Sequence, residues 1–162
     1  MCAAWTNVHM KYTIKPLTSL HVKSVRDIFN EVFDIEEWKE LPWIWRVRSK
    51  VESIGVFNST GDLLGFALIL AYTRKLKYIG IHPFYQKYGL GSMLLKQILK
   101  TCHKIDKSLS LIPANDIVKA WYSRHGFQIS SYFRAIDNTW WPAMNYHTKN
   151  TRSKTGLKHL YL

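Results

Sequence analysis

The junction Ile79–Ser92, which reads IGIHPFYQKYGLGS, constrains this chain more than any other stretch. Its first residues favour a strand. Pro83 ends that run, because proline lacks an amide N–H and its ring fixes φ. After a short polar connection, Met93, Leu94, Leu95, Ile98 and Leu99 recur at helical spacing. The stretch therefore predicts strand, turn, helix, with Gly89 and Gly91 at the mouth of the helix. The first N–H groups of a helix have no intrahelical partner, and the macrodipole makes that end partly positive. Glycine lets a ligand come close to the backbone. The amides of Lys87 to Ser92 are thus a candidate cradle for a phosphate or diphosphate.

Two familiar phosphate loops do not fit. A P-loop needs Lys-Ser or Lys-Thr after its second glycine, and neither follows these glycines. The dinucleotide fingerprint needs a third glycine where this chain has Leu94. What is left is Gln86-x-x-Gly89-x-Gly91. It resembles the coenzyme A loop of the GNAT family of acetyltransferases, whose pattern is Gln/Arg-x-x-Gly-x-Gly/Ala. The upstream spacing Ile79-x-Ile81-x-Pro83-x-x-Gln86 is similar to that family's strand-to-loop passage.

A second constellation lies downstream: Asn115-x-x-Val118-x-x-Trp121-Tyr122-x-x-x-Gly126-Phe127. It resembles the GNAT segment Asn-x-x-Ala-x-x-Leu-Tyr-x-x-x-Gly-Phe. Val118 and Trp121 depart from the usual residues but keep an apolar face.

The rest of the chain fits one domain. Its 162 residues suit a single core, and 47% hydrophobic content with seven tryptophans excludes a disordered chain. No apolar run approaches the ~20 residues that cross a bilayer. Cys2 and Cys102 make no disulfide framework and sit in no metal-ligand spacing, so no metal is expected, and a reducing intracellular setting, cytoplasmic or nuclear, is the simpler expectation. The net charge is +12, unevenly spread. Six of the eleven acids lie between Asp27 and Glu40, whereas Arg74 to Lys107 carries eight Lys or Arg against Asp106 alone. Such a balance suits an anionic ligand, an anionic membrane or nucleic acid.

In order, the pattern predicts a first strand around Tyr12–Ile14 and a capped helix with its apolar stripe on Leu20, Val22, Val25, Ile28, Phe29, Val32 and Phe33. An acidic segment and a second helix starting at Pro42 follow. Strands over Val51–Asn58, Leu63–Tyr72 and Lys75–His82 come next, the first two joined by a turn at Gly61. The glycine-led helix, a strand at Ser108–Ile112, a helix at Asp116–Arg124 capped by Gly126, and two strands over Phe127–Arg134 and Trp140–Tyr146 complete the chain. This is an α/β order around a mixed sheet. The division expected is a loose lead-in over residues 1–9, one domain over 10–147 and a mobile basic tail over 148–162.

The resemblance covers about residues 10–147. It implies a GNAT-like fold whose mixed central sheet is splayed at the acetyl-coenzyme A site and flanked by about four helices. It implies that the backbone of Gln86, Lys87, Tyr88, Gly89, Leu90, Gly91 and Ser92 holds the pyrophosphate. Backbone groups of Ile79, Gly80 and Ile81 would pair with the pantetheine arm like an added strand, and Asn115 would bind that arm through its amide. Lys87, Lys96 or Lys119 would meet the adenosine 3′-phosphate. Tyr122 would protonate the leaving thiolate, and the amide of Ile81 would stabilise the oxyanion. The reaction implied is acetyl transfer from acetyl-coenzyme A to a primary amine by direct attack, with no covalent enzyme intermediate.

Deprotonating a lysine-like amine at pH 7 costs about 4.6 kcal/mol. Many GNAT members place a carboxylate on the strand before the loop, but Lys75–Ile81 has none. Glu36, Glu37 and His82 are the candidates for the base, with Glu40 also in the acidic segment. Trp38, Trp43 and Trp45 are candidates to shape the acceptor groove, and Trp140 and Trp141 to form a homodimer surface. The acceptor stays open among protein lysine, protein N-terminus, polyamine and aminoglycoside. The alternative reading is a non-catalytic coenzyme A-binding protein that uses its basic surface on nucleic acid or a protein partner.

Overall fold

The first helical stripe meets the sheet where its spacing predicts. In the computed structural model, which describes residues 11–149, helix α1 (Val22–Val32) buries Val25, Ile28 and Phe29 on one face. Thr18 caps a short 3-10 turn, Ser19–His21, that leads into α1. Leu20 lies in that turn, ahead of the helical stripe, and is 88% exposed, so it belongs to no core. The acidic segment forms its own short helix, α2 (Ile35–Trp38), closed by a capping box between Asp34 and Glu37. Helix α3 (Leu41–Val47) follows, with Pro42 in its first turn, where a missing N–H costs nothing.

Strands β1 (Thr13–Pro16), β2 (Ile54–Phe57), β3 (Leu63–Ile69) and β4 (Leu76–Ile81) form an antiparallel sheet in that order. Strands β5 (Leu109–Leu111), β6 (Gln128–Arg134) and β7 (Trp140–Tyr146) form a second, ordered β5-β7-β6. The central sheet, expected to be splayed, parts between β4 and β5 into these two antiparallel sheets. A single parallel bridge, Lys75 with Ser110, joins the halves.

Two strands are shorter than their composition suggests. Val51–Ser53 turn before β2, where the Ser49 hydroxyl accepts the Glu52 amide and the Ser49 carbonyl accepts the Ser53 amide. Leu70–Arg74 turn after β3, and Arg74 takes a positive φ of 51°. The Arg74 guanidinium pairs with Glu52 and donates to the Ser108 carbonyl at 2.9 Å, tying three loops together.

Helix α4 (Leu90–Ile105) lies on one face of the first sheet and buries Leu94, Leu95, Ile98, Leu99 and Cys102. Helix α1 covers the other face with Phe29 against Phe66 and Tyr78. Burial pushes the Cys102 thiol above its ordinary value, which leaves it a core side chain, not a nucleophile. Helix α5 (Asp116–Arg124) packs beside α4 through Val118, Trp121 and Tyr122. Gly126 ends it at a φ of 95°.

Close approach of β3 to β4 depends on Gly65. A Cβ there would lie 2.3 Å from the Ile81 side-chain tip and 2.9 Å from the Gly80 carbonyl oxygen. The side chain can rotate away, but the backbone oxygen cannot. Gly65→Ala is therefore expected to destabilise the fold by about 1–3 kcal/mol, seen as a lower thermal midpoint.

The expected lead-in over 1–9 lies outside the described residues, and so does the tail from residue 150 onward. Thr148 is buried, and its hydroxyl donates to Asp106 at 2.6 Å.

Candidate active site

Strand β4 is hydrogen-bonded to β3 along one edge. Along the other, pairing with β5 is confined to the bridge at its start, where the Ser110 amide donates to the Arg74 carbonyl at 3.1 Å. Strand β5 has three residues, and Pro113 follows almost at once, so the chain leaves the sheet for α5. From Ile79 to Ile81 the edge of β4 has no strand partner among the described residues.

That edge forms the floor of a groove of about 470 Å³. Ile79, Gly80, Ile81, Gln86, Gly89, Gly91 and Ser92 line it from the first sequence constellation, and Val118, Trp121 and Tyr122 from the second. Residues some thirty positions apart thus meet on one surface. Strand alternation turns Ile79 and Ile81 toward α4 and α5. Gly80 faces α1, where a Cβ would stand 3.1 Å from Phe33.

The turn at the end of β4 is built by local bonds. Pro83–Tyr88 form a 3-10 segment capped by His82, whose Nδ1 accepts the Phe84 amide at 3.2 Å. Gln86 donates through Nε2 to the Ile81 carbonyl at 3.1 Å, pinning the turn to the strand. Gly89 then takes φ 72°, a left-handed conformation that suits glycine and starts α4. The first bond of the helix runs from Met93 to the Gly89 carbonyl at 3.1 Å. The amides of Leu90, Gly91 and Ser92 precede it, and among the described residues no side chain caps this end. Gly89, Gly91 and Ser92 line the groove, so the N-terminus of α4 opens on it, and such an end suits an anion. The Leu90 side chain is itself buried in the core, while Lys87 and Tyr88 are exposed and outside the groove lining.

Tyr122 is 5% exposed, with its ring against Trp121 at 4.9 Å and Phe127 at 5.4 Å. Its hydroxyl has no hydrogen-bond partner among the described residues. Burial pushes the phenol's pKa up, so it stays protonated through the neutral range. Asn115 caps α5, its Oδ1 accepting the Val118 amide at 2.9 Å. It lines a neighbouring cleft rather than this groove, and its NH₂ makes no hydrogen bond among the described residues.

The base candidates are scattered. His82 follows the strand's alternation and lines a different pocket, with His21 and Asp27. Glu36 lies on the outer surface of α2, 3.8 Å from Lys39. Glu37 lines the neighbouring cleft, but its Oε2 accepts the Asp34 amide at 3.3 Å. None of the three stands in the groove beside Tyr122. The tryptophans expected to shape an acceptor groove are also elsewhere. Trp38 donates to the Phe33 carbonyl, Trp43 is exposed, and Trp45 stacks under Arg48. Trp141 lines the neighbouring cleft instead.

The electrostatics favour an anion near the groove. Burial, together with Lys96 and Arg124, holds His125 below its ordinary value, and His125 packs on Trp121 at 5.1 Å. Lys119 is engaged with Asp116 at 3.3 Å. Among the described residues, no three His, Cys, Asp or Glu side chains converge on a metal position, and no helix is long and apolar enough to cross a membrane.

Residues 50–129 match the family model described as the Acetyltransferase (GNAT) domain. The chain carries a GNAT acetyltransferase domain. The match contains β2 through α5, hence both constellations and the open edge of β4. Solved structures extend the likeness to nearly the whole described chain. The ribosomal-protein-S18-alanine N-acetyltransferase of Escherichia coli is 19% identical with a TM-score of 0.69, covering 85% of this chain and 94% of that one. The PaiA N-acetyltransferase of Thermoplasma acidophilum, solved with coenzyme A, is 17% identical with a TM-score of 0.63, covering 86% and 100%. The YhbS protein of Escherichia coli, also solved with coenzyme A, is 11% identical with a TM-score of 0.68, covering 88% and 84%. At these identities the structural likeness speaks for the GNAT fold. No curated protein matches the sequence.

Proposed function

We propose that this GNAT protein transfers the acetyl group of acetyl-coenzyme A to a primary amine. The observation that carries the reading is the convergence of both constellations on one groove, between a strand edge and a helix N-terminus that, among the described residues, are unpaired and uncapped. The amides of Leu90, Gly91 and Ser92 bind the diphosphate. The open edge at Ile79–Ile81 hydrogen-bonds the pantetheine arm. Lys96, with Arg124 nearby, supplies positive charge for the adenosine phosphate. The amine attacks the acetyl carbon directly, an amide N–H on β4 stabilises the oxyanion, and Tyr122 returns a proton to the leaving thiolate. The non-catalytic alternative is not favoured by the GNAT match.

The same reading keeps one domain over residues 10–147 and an intracellular setting. It also places any contact between two copies at the last strands, where β6 is exposed along its length and Trp140 is 65% exposed.

A thiol-release assay tests the reading. Wild-type protein is incubated with acetyl-coenzyme A and a panel of a polyamine, an aminoglycoside, a lysine peptide and a free N-terminal peptide. Amine-dependent thiol release with at least one of them is expected, together with calorimetric binding of acetyl-coenzyme A below millimolar concentration. Absence of both would remove the basis of the reading.

A further inference from the structure

A second cleft, about 640 Å³, lies between the α1–α2 connection, β4 and the β5–α5 loop, and meets the first groove at Val32. Tyr78 lines it. The Tyr78 ring is fixed edge-on between Phe29 at 4.8 Å and Phe33 at 4.9 Å. Its hydroxyl donates to the Glu40 carboxylate at 2.8 Å. Lys77 Nζ stands 3.5 Å from the same carboxylate oxygen.

A phenol that gives its one proton to a carboxylate keeps lone pairs to accept another N–H. β4 has no carboxylate of its own. Glu40, from the N-terminus of α3, supplies one to it through space. We propose that Tyr78 and Glu40 form the relay that takes the proton from the acceptor amine, a role that rests on the acetyl-transfer reading above. The ammonium N–H proton passes to the Tyr78 oxygen as the Tyr78 O–H proton passes to Glu40. The freed nitrogen forms the bond to the acetyl carbon, the carbon–sulfur bond breaks, the thiolate takes the Tyr122 proton, and the second N–H proton of the now cationic nitrogen passes to water as the amide forms. Glu40 then releases its proton to water, and Tyr122 regains one from water.

The surroundings favour relay over ionisation of the phenol. Burial, the hydrogen bond to Glu40 and the charges of Glu40 and Glu37 all push the Tyr78 pKa up. The charged groups facing the pair are Lys77 on β4 and Glu37 on α2, while α1 contributes aromatic rings. Glu37 is the nearest rival, but it is engaged in closing its own capping box.

The test compares wild type, Tyr78→Phe and Glu40→Gln on the panel amine that wild type acetylates fastest. Glu40→Gln keeps an oxygen that can accept from Tyr78, so the fold is retained. Both variants are expected to bind acetyl-coenzyme A as wild type does, with kcat at pH 7 lower on the order of 10²-fold. That deficit is expected to shrink as pH rises from 7 to 9, because bulk solvent then supplies the neutral amine. A merely structural role would lower the rate equally at every pH. A pH-independent deficit, or an unimpaired Glu40→Gln, overturns the relay and leaves acetyl transfer standing. Wild type that acetylates no amine overturns both.

Discussion

Gly91→Glu is expected to abolish acetyl-coenzyme A binding while leaving the fold as stable as before. Gly91 sits in the first turn of α4 and lines the groove. A Cβ there would meet Trp121 at 3.8 Å and Ile81 at 3.9 Å, which is ordinary contact. Nothing has to move to admit it. Glutamate is a better helix former than glycine by about 0.5–1 kcal/mol, and a carboxylate near a helix N-terminus adds about 0.3–1 kcal/mol. The variant should therefore melt at the wild-type temperature or slightly above. Its carboxylate, however, occupies the place proposed for the diphosphate. Like charges about 4 Å apart repel by about 4 kcal/mol at an effective dielectric of 20, near a thousandfold in Kd. Calorimetry against acetyl-coenzyme A, beside a thermal melt, reads both effects. Wild-type affinity in this variant would move the diphosphate away from α4.

Tyr122→Phe is expected to lower kcat by roughly 10²–10³-fold, with acetyl-coenzyme A affinity unchanged. The ring is held by Trp121 and Phe127, and phenylalanine keeps those contacts. What it removes is a hydroxyl without a hydrogen-bond partner among the described residues, on the groove that holds the proposed thioester. A separate alkaline melt distinguishes the burial of that phenol from its chemistry. Tyr122 has a folded pKa raised above its unfolded value of about 10. Its contribution is full below that pH and is lost as pH climbs toward the folded value. The variant should lose less stability than wild type in that alkaline range. Unchanged turnover would exclude Tyr122 as the proton donor.

The parts of this fold legible in the sequence are those set by short-range rules. Pro83 stops β4, Gly89 admits a positive φ, and the α4 stripe follows helical spacing, so strand, turn and helix fall where the spacing predicts. The Asn115 cap and the Gly126 stop place α5 in the same way. Errors fall where a local pattern runs past its element. Leu20 continues the apolar period of α1 but lies in the 3-10 turn before it. The apolar ends of β2 and β3 are bent by the Ser49 turn and by Arg74, whose partner Glu52 is 22 residues away.

The chemistry divides along the same line. By itself the sequence determined the shape of the loop proposed for an anion and the helix that carries Tyr122, because each depends on residues within a few positions of one another. Only the tertiary structure decided which carboxylate reaches β4. Glu36, Glu37 and Glu40 are equivalent acids in one short segment, and the 2.8 Å contact of Tyr78 with Glu40 exists because α1 sets α3 against the sheet. Packing likewise decided that β4 and β5 part after a single bridge, leaving an edge of β4 without a strand partner among the described residues, which only a three-dimensional neighbour could have covered.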